Sequence, residues 1–344
     1  MIPVRNVYYM LAYAFQVLNE QGYKKIAAEE FNNIADLCAE ILIKGISIQI
    51  KRGLAQDYIE RTDPLSSPKG KADISASIKT KSLTKKKLIC TYDDFSNNIY
   101  LNQILKTTLL LLLRTDIAPK RKKEIKKILL YFGDVDTLDF HSINWKLQYH
   151  RNNQTYRMLV AICYLVVKGL LQSNSEGSIY LMDFLDEQRM CRLYEKFILN
   201  YYQKEFPQIS AAASQIPWVV DDDVRTMLPV MQSDIMLTYK EKTLIIDAKY
   251  YSRTTQEQFG VHTLHSNNLY QIFTYVKNKE AALKDVPHEV SGLLLYAKTE
   301  DPIQPDNSYM MSGNKISVKT LDLNQDFPNI SQNLNDIVSQ YFEI

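Results

Sequence analysis

A chain of 344 residues with 46% hydrophobic and 23% charged residues has a soluble globular composition, long enough for two domains or one large domain with an appended part; disordered and fibrous classes are excluded. The formal net charge of +2 gives no global field toward nucleic acid, so phosphate contacts must come from local runs such as KTKSLTKKK (Lys79 to Lys87) and KRKKEIKK (Lys120 to Lys127). Four scattered cysteines, Cys38, Cys90, Cys163 and Cys191, have no zinc spacing and read as reduced core thiols, and no apolar run is long enough to span a bilayer, which points to a cytoplasmic protein.

In chain order, apolar residues at Val4, Val7, Tyr8, Leu11, Phe15 and Leu18, and again at Phe31, Ile34, Leu37, Cys38, Ile41 and Leu42, carry the spacing of amphipathic helices. RTDPLSSPKGKADISAS then reads as an exposed loop or finger, rich in Pro, Ser and Gly. Helices are expected from about Ser96 to Leu113, from Pro119 to Tyr131 with the proline suited to the first turn, and from Thr155 to Leu171. QSNSEGS (Gln172 to Ser178) is the best linker candidate, which divides the chain into residues 1–175 and 176–344. Beyond it come a helix from about Glu187 to Phe206, short strands through Ala248, a helix from about Asn267 to Lys279, strands near GLLLYA and KISVKTLDL, and a closing helix from Asn329 to Tyr341. This is an α/β arrangement (α+β overall) with a small mixed sheet, behind a largely helical N-terminal half.

The chemistry concentrates in LPVMQSDIMLTYKEKTLIIDAKYYSR, Leu228 to Arg253. Folding this hairpin about the midpoint between Lys240 and Glu241 sets Asp234 opposite Asp247. Opposed residues have Cβ atoms roughly 4.5 to 5.5 Å apart, and alternation puts Asp247 and Lys249 on one face. Two carboxylates that close repel by about 3 kcal/mol at intermediate dielectric, a cost that a hard divalent cation offsets. Mg²⁺ suits two carboxylates, the backbone carbonyl of Ala248 and several waters, and a phosphodiester is the natural substrate, with Lys249 orienting water or neutralising charge in the transition state. A D/E-x-K triplet alone is weak, since about three arise by chance in such a chain; EIK (Glu124 to Lys126) has no second carboxylate and reads as surface charge. Glu195 in RLYEKFILNYY has a carboxylate able to reach over the metal site or to face solvent. Gln271 and Tyr275, at i and i+4 in NLYQIFTYV, suit hydrogen bonds to a phosphate or to Lys249, with Tyr275 as core the competing reading. His262 and His265 read as polar loop groups.

With those residues in hand, the chain resembles the McrC family, nuclease subunits of McrBC modification-dependent restriction systems, and more broadly the PD-(D/E)xK nuclease superfamily. The likeness rests on IPVRNVYYMLAYAF, KGKADISASI, DDFSNNIYLNQILKTTL, LMDFLDEQRM, LPVMQSDI, LIIDAKYY and HSNNLYQIFTY in order along the chain. It implies a restriction-endonuclease-like α/β domain over 176–344, with Asp234, Asp247 and Lys249 in the metal-binding and catalytic places and Gln271 and Tyr275 in a QxxxY helix. Ser233, not proline, precedes Asp234, a variation the superfamily tolerates. The resemblance also implies an AAA+ GTPase ring as partner, engaged by residues 1–175, and DNA carrying modified cytosine. No phosphate loop for GTP is present in this chain, so the motor must be another one. Candidate ring contacts are the finger around Asp63 to Asp73 and the basic segment Lys79 to Lys87. Two rival readings are a non-cleaving activator of the GTPase with a vestigial nuclease fold, and a stand-alone repair or resolvase nuclease.

Overall fold

The computed structural model describes residues 2–15, 31, 33–149, 156–176, 187–222, 224–251, 254–258 and 261–344. Contacts divide the chain into two compact units, one of Phe31–Phe184 and one that joins Met1–Glu30 to Leu185–Ile344. These units differ from the expected division at 175/176 above all in where Met1–Glu30 belongs. Helix α1 (Val4–Ala14) buries Val7, Tyr8 and Leu11, as its spacing requires, but within the C-terminal unit. The Asn6 side-chain amide donates to the carbonyls of Leu323 and Gln325 at 2.8 and 2.7 Å, Tyr9 stacks on Phe327 with centroids 4.2 Å apart, and Asn200 donates to the Tyr13 carbonyl at 3.0 Å. Periodicity shows that a helix buries a stripe; it cannot say which residues lie beneath it.

The intervening unit begins with α2 (Ile34–Arg52), whose Asn33 cap accepts the Asp36 amide at 2.8 Å. Strands β1 (Asp57–Leu65) and β2 (Lys71–Asp73), helix α3 (Ile74–Lys79) and strand β3 (Leu88–Ser96) follow, the strands forming an antiparallel sheet in the order β1-β3-β2. The segment expected as a loop is therefore mostly regular structure. Both faces of β1 carry polar residues, so alternation did not mark it; cross-strand pairs hold it instead, Thr62 to Thr91 at 2.9 Å, Arg61 to Asp94 at 3.1 Å and the Tyr58 and Phe95 rings at 5.0 Å. Pro64 is tolerated because β1 is an edge strand. Gly70, at φ +67, lies so close to β3 that a Cβ would stand 2.3 Å from the Thr91 carbonyl oxygen.

Helices α4 (Tyr100–Leu112), α5 (Pro119–Leu129, proline at its start) and α6 (Tyr156–Glu176) complete this unit. Arg121 of α5 reaches both Asp36 (2.6 Å) and Glu40 (2.9 Å) of α2, and Asp36 also accepts the Ala118 amide at 2.9 Å. The α6 backbone continues through Gln172–Glu176, so most of the expected linker is helical; Gly177 and Ser178 lie outside the described residues.

The C-terminal unit opens with α7 (Glu187–Glu205), followed by β4 (Ser210–Ala212), β5 (Gln215–Ile216), β6 (Met231–Gln232), β7 (Ile235–Tyr239) and β8 (Lys242–Lys249). Then come β9 (Thr255–Gln258), β10 (Val261–Leu264), α8 (Ser266–Ala282), β11 (Glu289–Ala297), β12 (Asn307–Met311), β13 (Asn314–Leu321) and α9 (Phe327–Phe342). The main sheet has the order β12-β13-β11-β8-β7-β4, with β8, β11 and β13 parallel to their neighbours in that run and the other pairs antiparallel. Such a mixed sheet matches the expected architecture. Ile272 and Val276 of α8 pack on Ile245, Leu294 and Ile316 of the sheet, and Gly292 permits that approach, since a Cβ there would stand 2.9 Å from both helix side chains. Among the described residues no helix is long and apolar enough to cross a membrane, and Cys38, Cys90, Cys163 and Cys191 are free thiols, the first three buried.

Candidate active site

The hairpin pairs as its turn dictates. Ile235 stands opposite Ile246 and Tyr239 opposite Lys242, so the register, continued one residue past the start of β7, sets Asp234 against Asp247. Met236 and Ile245, two positions along each strand and hence on the same face, belong to the apolar cluster beneath α8. The aspartates thus lie at the end of that face, where the hydrophobic layer gives way to polar groups. Where the β7 ladder runs out, the Asp234 carboxylate takes over its backbone role and accepts the Ala248 amide at 2.9 Å.

Asp247 is 1% exposed. Lys249 Nζ stands 2.8 Å from its Oδ2, an ion pair outside hydrogen-bonding alignment, so both buried oxygens lack a directed hydrogen bond. Burial and the neighbouring Asp234 push the Asp247 carboxyl up to about 7, against the pull of Lys249. Asp234 is raised in the same direction, chiefly by burial. For Lys249, burial favours the neutral amine, but the two aspartates more than offset it and hold the ammonium protonated. The ion pair offsets part of the cost of burying the Asp247 carboxylate; oxygens without directed hydrogen bonds remain costly in a finished fold.

Lys249 Nζ also donates to Gln271 Oε1 at 3.3 Å, and Gln271 Nε2 donates to the Tyr275 hydroxyl at 2.9 Å. The i, i+4 pair on α8 therefore meets the lysine as expected, and Tyr275 is both buried core, 8% exposed, and part of this chain of bonds. Glu195 stands differently. Cys191, one turn earlier on α7, donates its thiol to Glu195 Oε1 at 3.1 Å and lies 3.8 Å from the Ala248 carbonyl. Burial and then Asp234 raise the Glu195 carboxyl, so it senses the site. Among the described residues, however, no three His, Cys, Asp or Glu side chains form a metal-ligand cluster, and Glu195 is not brought in as a third carboxylate ligand. Two carboxylates and a carbonyl fit a hard ion that retains several waters.

The histidines depart from the loop reading. His262 lies on β10, its ring 3.3 Å from the Thr255 hydroxyl, and His265 caps α8 and packs edge-on to Tyr251 at 5.4 Å. Three residues passed over in the sequence adjoin the site: Tyr251, Asn268 and Tyr296. Tyr296 stands in register with Lys249 on the adjacent parallel strand. It sits in the apolar run GLLLYA, and only the pairing of β11 with β8 brings it to the lysine.

A sequence profile of McrBC 5-methylcytosine restriction system components matches residues 4–297. The chain is 28% identical over 348 residues to the type IV methyl-directed restriction enzyme EcoKMcrBC of Escherichia coli (strain K12), covering 99% of both chains. Two solved structures are similar at lower levels. A refined half-complex from the tetradecameric assembly of Thermococcus gammatolerans McrB AAA+ hexamers with bound McrC gives 15% identity and a TM-score of 0.47 over 94% of this chain and 75% of that one. The cryo-EM structure of the Thermococcus gammatolerans McrBC complex gives 16% and 0.41 over 59% and 58%. Neither TM-score bears on the fold described above. The profile, spanning α1 through β11 and with it the aspartate hairpin and the α8 amides, makes this chain a member of the McrBC 5-methylcytosine restriction system component family.

Proposed function

We propose that this chain is a Mg²⁺-dependent DNA endonuclease subunit that hydrolyses phosphodiester bonds within a methylcytosine-directed restriction complex in the cytoplasm. The observation that carries the reading is the Asp247 carboxylate, buried without a directed hydrogen bond, beside Asp234 and a protonated Lys249. Asp234, Asp247 and the Ala248 carbonyl would hold the ion. When bound, Mg²⁺ supplies charge to polarise a phosphoryl oxygen and to acidify a water. Lys249, held cationic by its two carboxylates, cannot serve as a base; it supplies positive charge and hydrogen bonds to a non-bridging phosphate oxygen as negative charge accumulates. Gln271, backed by Tyr275, fixes the direction of that ammonium group. Glu195 adjusts the field at Asp234 from the α7 side.

The partner in this reading is an AAA+ GTPase ring, which the family membership and the McrB hexamers of the similar complexes support. The unit of residues 31–184 engages that ring. Its exposed β1–β3 module carries both sequence-derived contact candidates, Asp63 to Asp73 and Lys79 to Lys87. The decisive experiment combines the chain with the ring subunit of its own system and methylated DNA in the presence of Mg²⁺. Wild type cleaves; Asp247→Ala stimulates GTP hydrolysis normally but leaves the DNA intact. Cleavage by the variant sinks the assignment, and a wild-type chain that stimulates the GTPase without ever cleaving is a non-cleaving activator.

A further inference from the structure

A second group of hydrogen bonds borders Lys249 on the side away from Gln271's tyrosine. Asn268 is buried, 5% exposed, one turn before Gln271 on α8. Its Nδ2 donates to the Tyr296 hydroxyl at 2.9 Å, and its Oδ1 accepts the Tyr251 hydroxyl at 3.2 Å. Both tyrosines belong to the lysine's surroundings. Tyr296, fully buried, is the register partner of Lys249 on β11, and neighbouring strands lie about 4.8 Å apart, so its ring runs beside the lysine stem. Tyr251 follows two residues after Lys249 and contributes to its field, while its ring packs on Tyr296 with centroids 6.2 Å apart.

Residues three apart on a helix share a face. Asn268 and Gln271 therefore address the same lysine from one rigid element, Gln271 at its ammonium end and Asn268 through the two tyrosines along its stem. A buried asparagine is expensive to hold unless each amide group is used. Here both are used, one on the register partner of Lys249 and the other on the residue two places after it. An apolar residue here would strand the fully buried Tyr296 hydroxyl, so the amide is tied to that tyrosine.

We propose that Asn268 is a positioning residue for Lys249, acting through Tyr296 and Tyr251 to hold the ammonium group against Asp247 and in line with the scissile phosphate. The inference rests on the nuclease reading for its kinetic consequence but not for its geometry. Misplacing a catalytic group by about 1 Å can cost up to a hundredfold in rate; loosening one flank of the lysine is expected to lower kcat about tenfold with KM for DNA unchanged, since neither Asn268 nor Tyr296 is placed on substrate.

The test uses Tyr296→Phe, which removes one oxygen and preserves the ring, together with Asn268→Ala and the double variant, in the full-length chain. Pulse acetylation of the metal-free protein, read at Lys249 by peptide mass spectrometry, reports release of the lysine from its carboxylates, through its exposure and neutral fraction together, independently of cleavage. We expect faster Lys249 acetylation in each single variant, a tenfold loss of kcat with unchanged KM, and a double variant no worse than Asn268→Ala, because removing the amide already breaks the bond to Tyr296. Unchanged Lys249 acetylation in Tyr296→Phe overturns the inference whether or not Asn268→Ala folds. Wild-type kcat in that variant, or additive losses in the double, overturns it as well. If the wild-type chain itself never cleaves, the nuclease reading fails, and the acetylation result still decides the role of Asn268.

Discussion

The buried carboxylate of Asp247 makes a quantitative demand on stability. Its carboxyl is pushed up to about 7 in the folded protein from an ordinary value of 3.8, so the folded state binds that proton more tightly than the unfolded chain. The associated stability is fully present below about pH 4 and is lost as pH rises through 7. At about 1.4 kcal/mol per tenfold change in proton affinity, the loss is on the order of 4 kcal/mol for the ion-free protein. Asp247→Asn keeps the shape of the protonated acid and cannot ionise. In EDTA, thermal unfolding of wild type and variant should nearly coincide at about pH 3.5 and diverge progressively through pH 7, the variant unfolding several degrees higher at pH 8.5. Mg²⁺ should narrow the gap by raising wild type alone, with about 2.7 kcal/mol expected at one hundred times its dissociation constant. A difference in Tm that is constant across pH, or that favours wild type at pH 8.5 in EDTA, would refute the claim that burial and Asp234 outweigh Lys249 at the Asp247 carboxyl.

Other expectations follow from separate parts of the molecule. Arg121→Ala leaves the buried Asp36 without its cation and Glu40 with Lys44 at 3.4 Å, and should cost about 3 kcal/mol in urea unfolding of the 31–184 unit; a loss below about 1 kcal/mol would mean that water reaches Asp36. Gly292→Ala forces Ile272 and Val276 away from the sheet and should destabilise the C-terminal unit by about 1 to 3 kcal/mol, with calorimetry as the check. Gly70→Ala places a methyl group against the Thr91 carbonyl and should unseat β2, abolishing GTPase stimulation while circular dichroism of the rest is preserved. Gln271→Ala should lower kcat about tenfold, as a lost orienting bond to a charged group implies, without weakening Mg²⁺ binding measured by calorimetry.

The hairpin was legible because two rules agree on it: a turn sets the register, and alternation sets the face, so Asp234, Asp247 and Lys249 could be brought together from their positions alone. Gln271 and Tyr275 were legible through helical spacing. Glu195 was legible only as a neighbour of the site, because its partner is Cys191, a residue whose type suggested inert core. The β1–β3 module was misread as a loop because strands exposed on both faces lack the apolar alternation by which strands are recognised, and the Gln172–Glu176 helix was misread because its composition is that of a linker. Tyr296 and Asn268 were hidden for a different reason. Parallel pairing of β11 with β8 has no local signature, so no spacing along the chain connects a tyrosine in an apolar run to a lysine on another strand.

The packing of α1 against Phe327 and Asn200 has an effect on biosynthesis. The C-terminal unit is interrupted in sequence: α1 is made before Phe31–Phe184, and the elements on which α1 packs are made after it. The intervening unit can therefore reach its native state while α1 still lacks its packing partners, and the interrupted unit closes only once Phe327 has been synthesised. A chain released before α9 would carry a folded 31–184 unit and an α1 without its site, whereas removal of residues 2–14 would keep Asp234, Asp247 and Lys249 yet leave Phe327 without its stacking partner. Helix α1 and the start of α9 together act as the clasp of that unit.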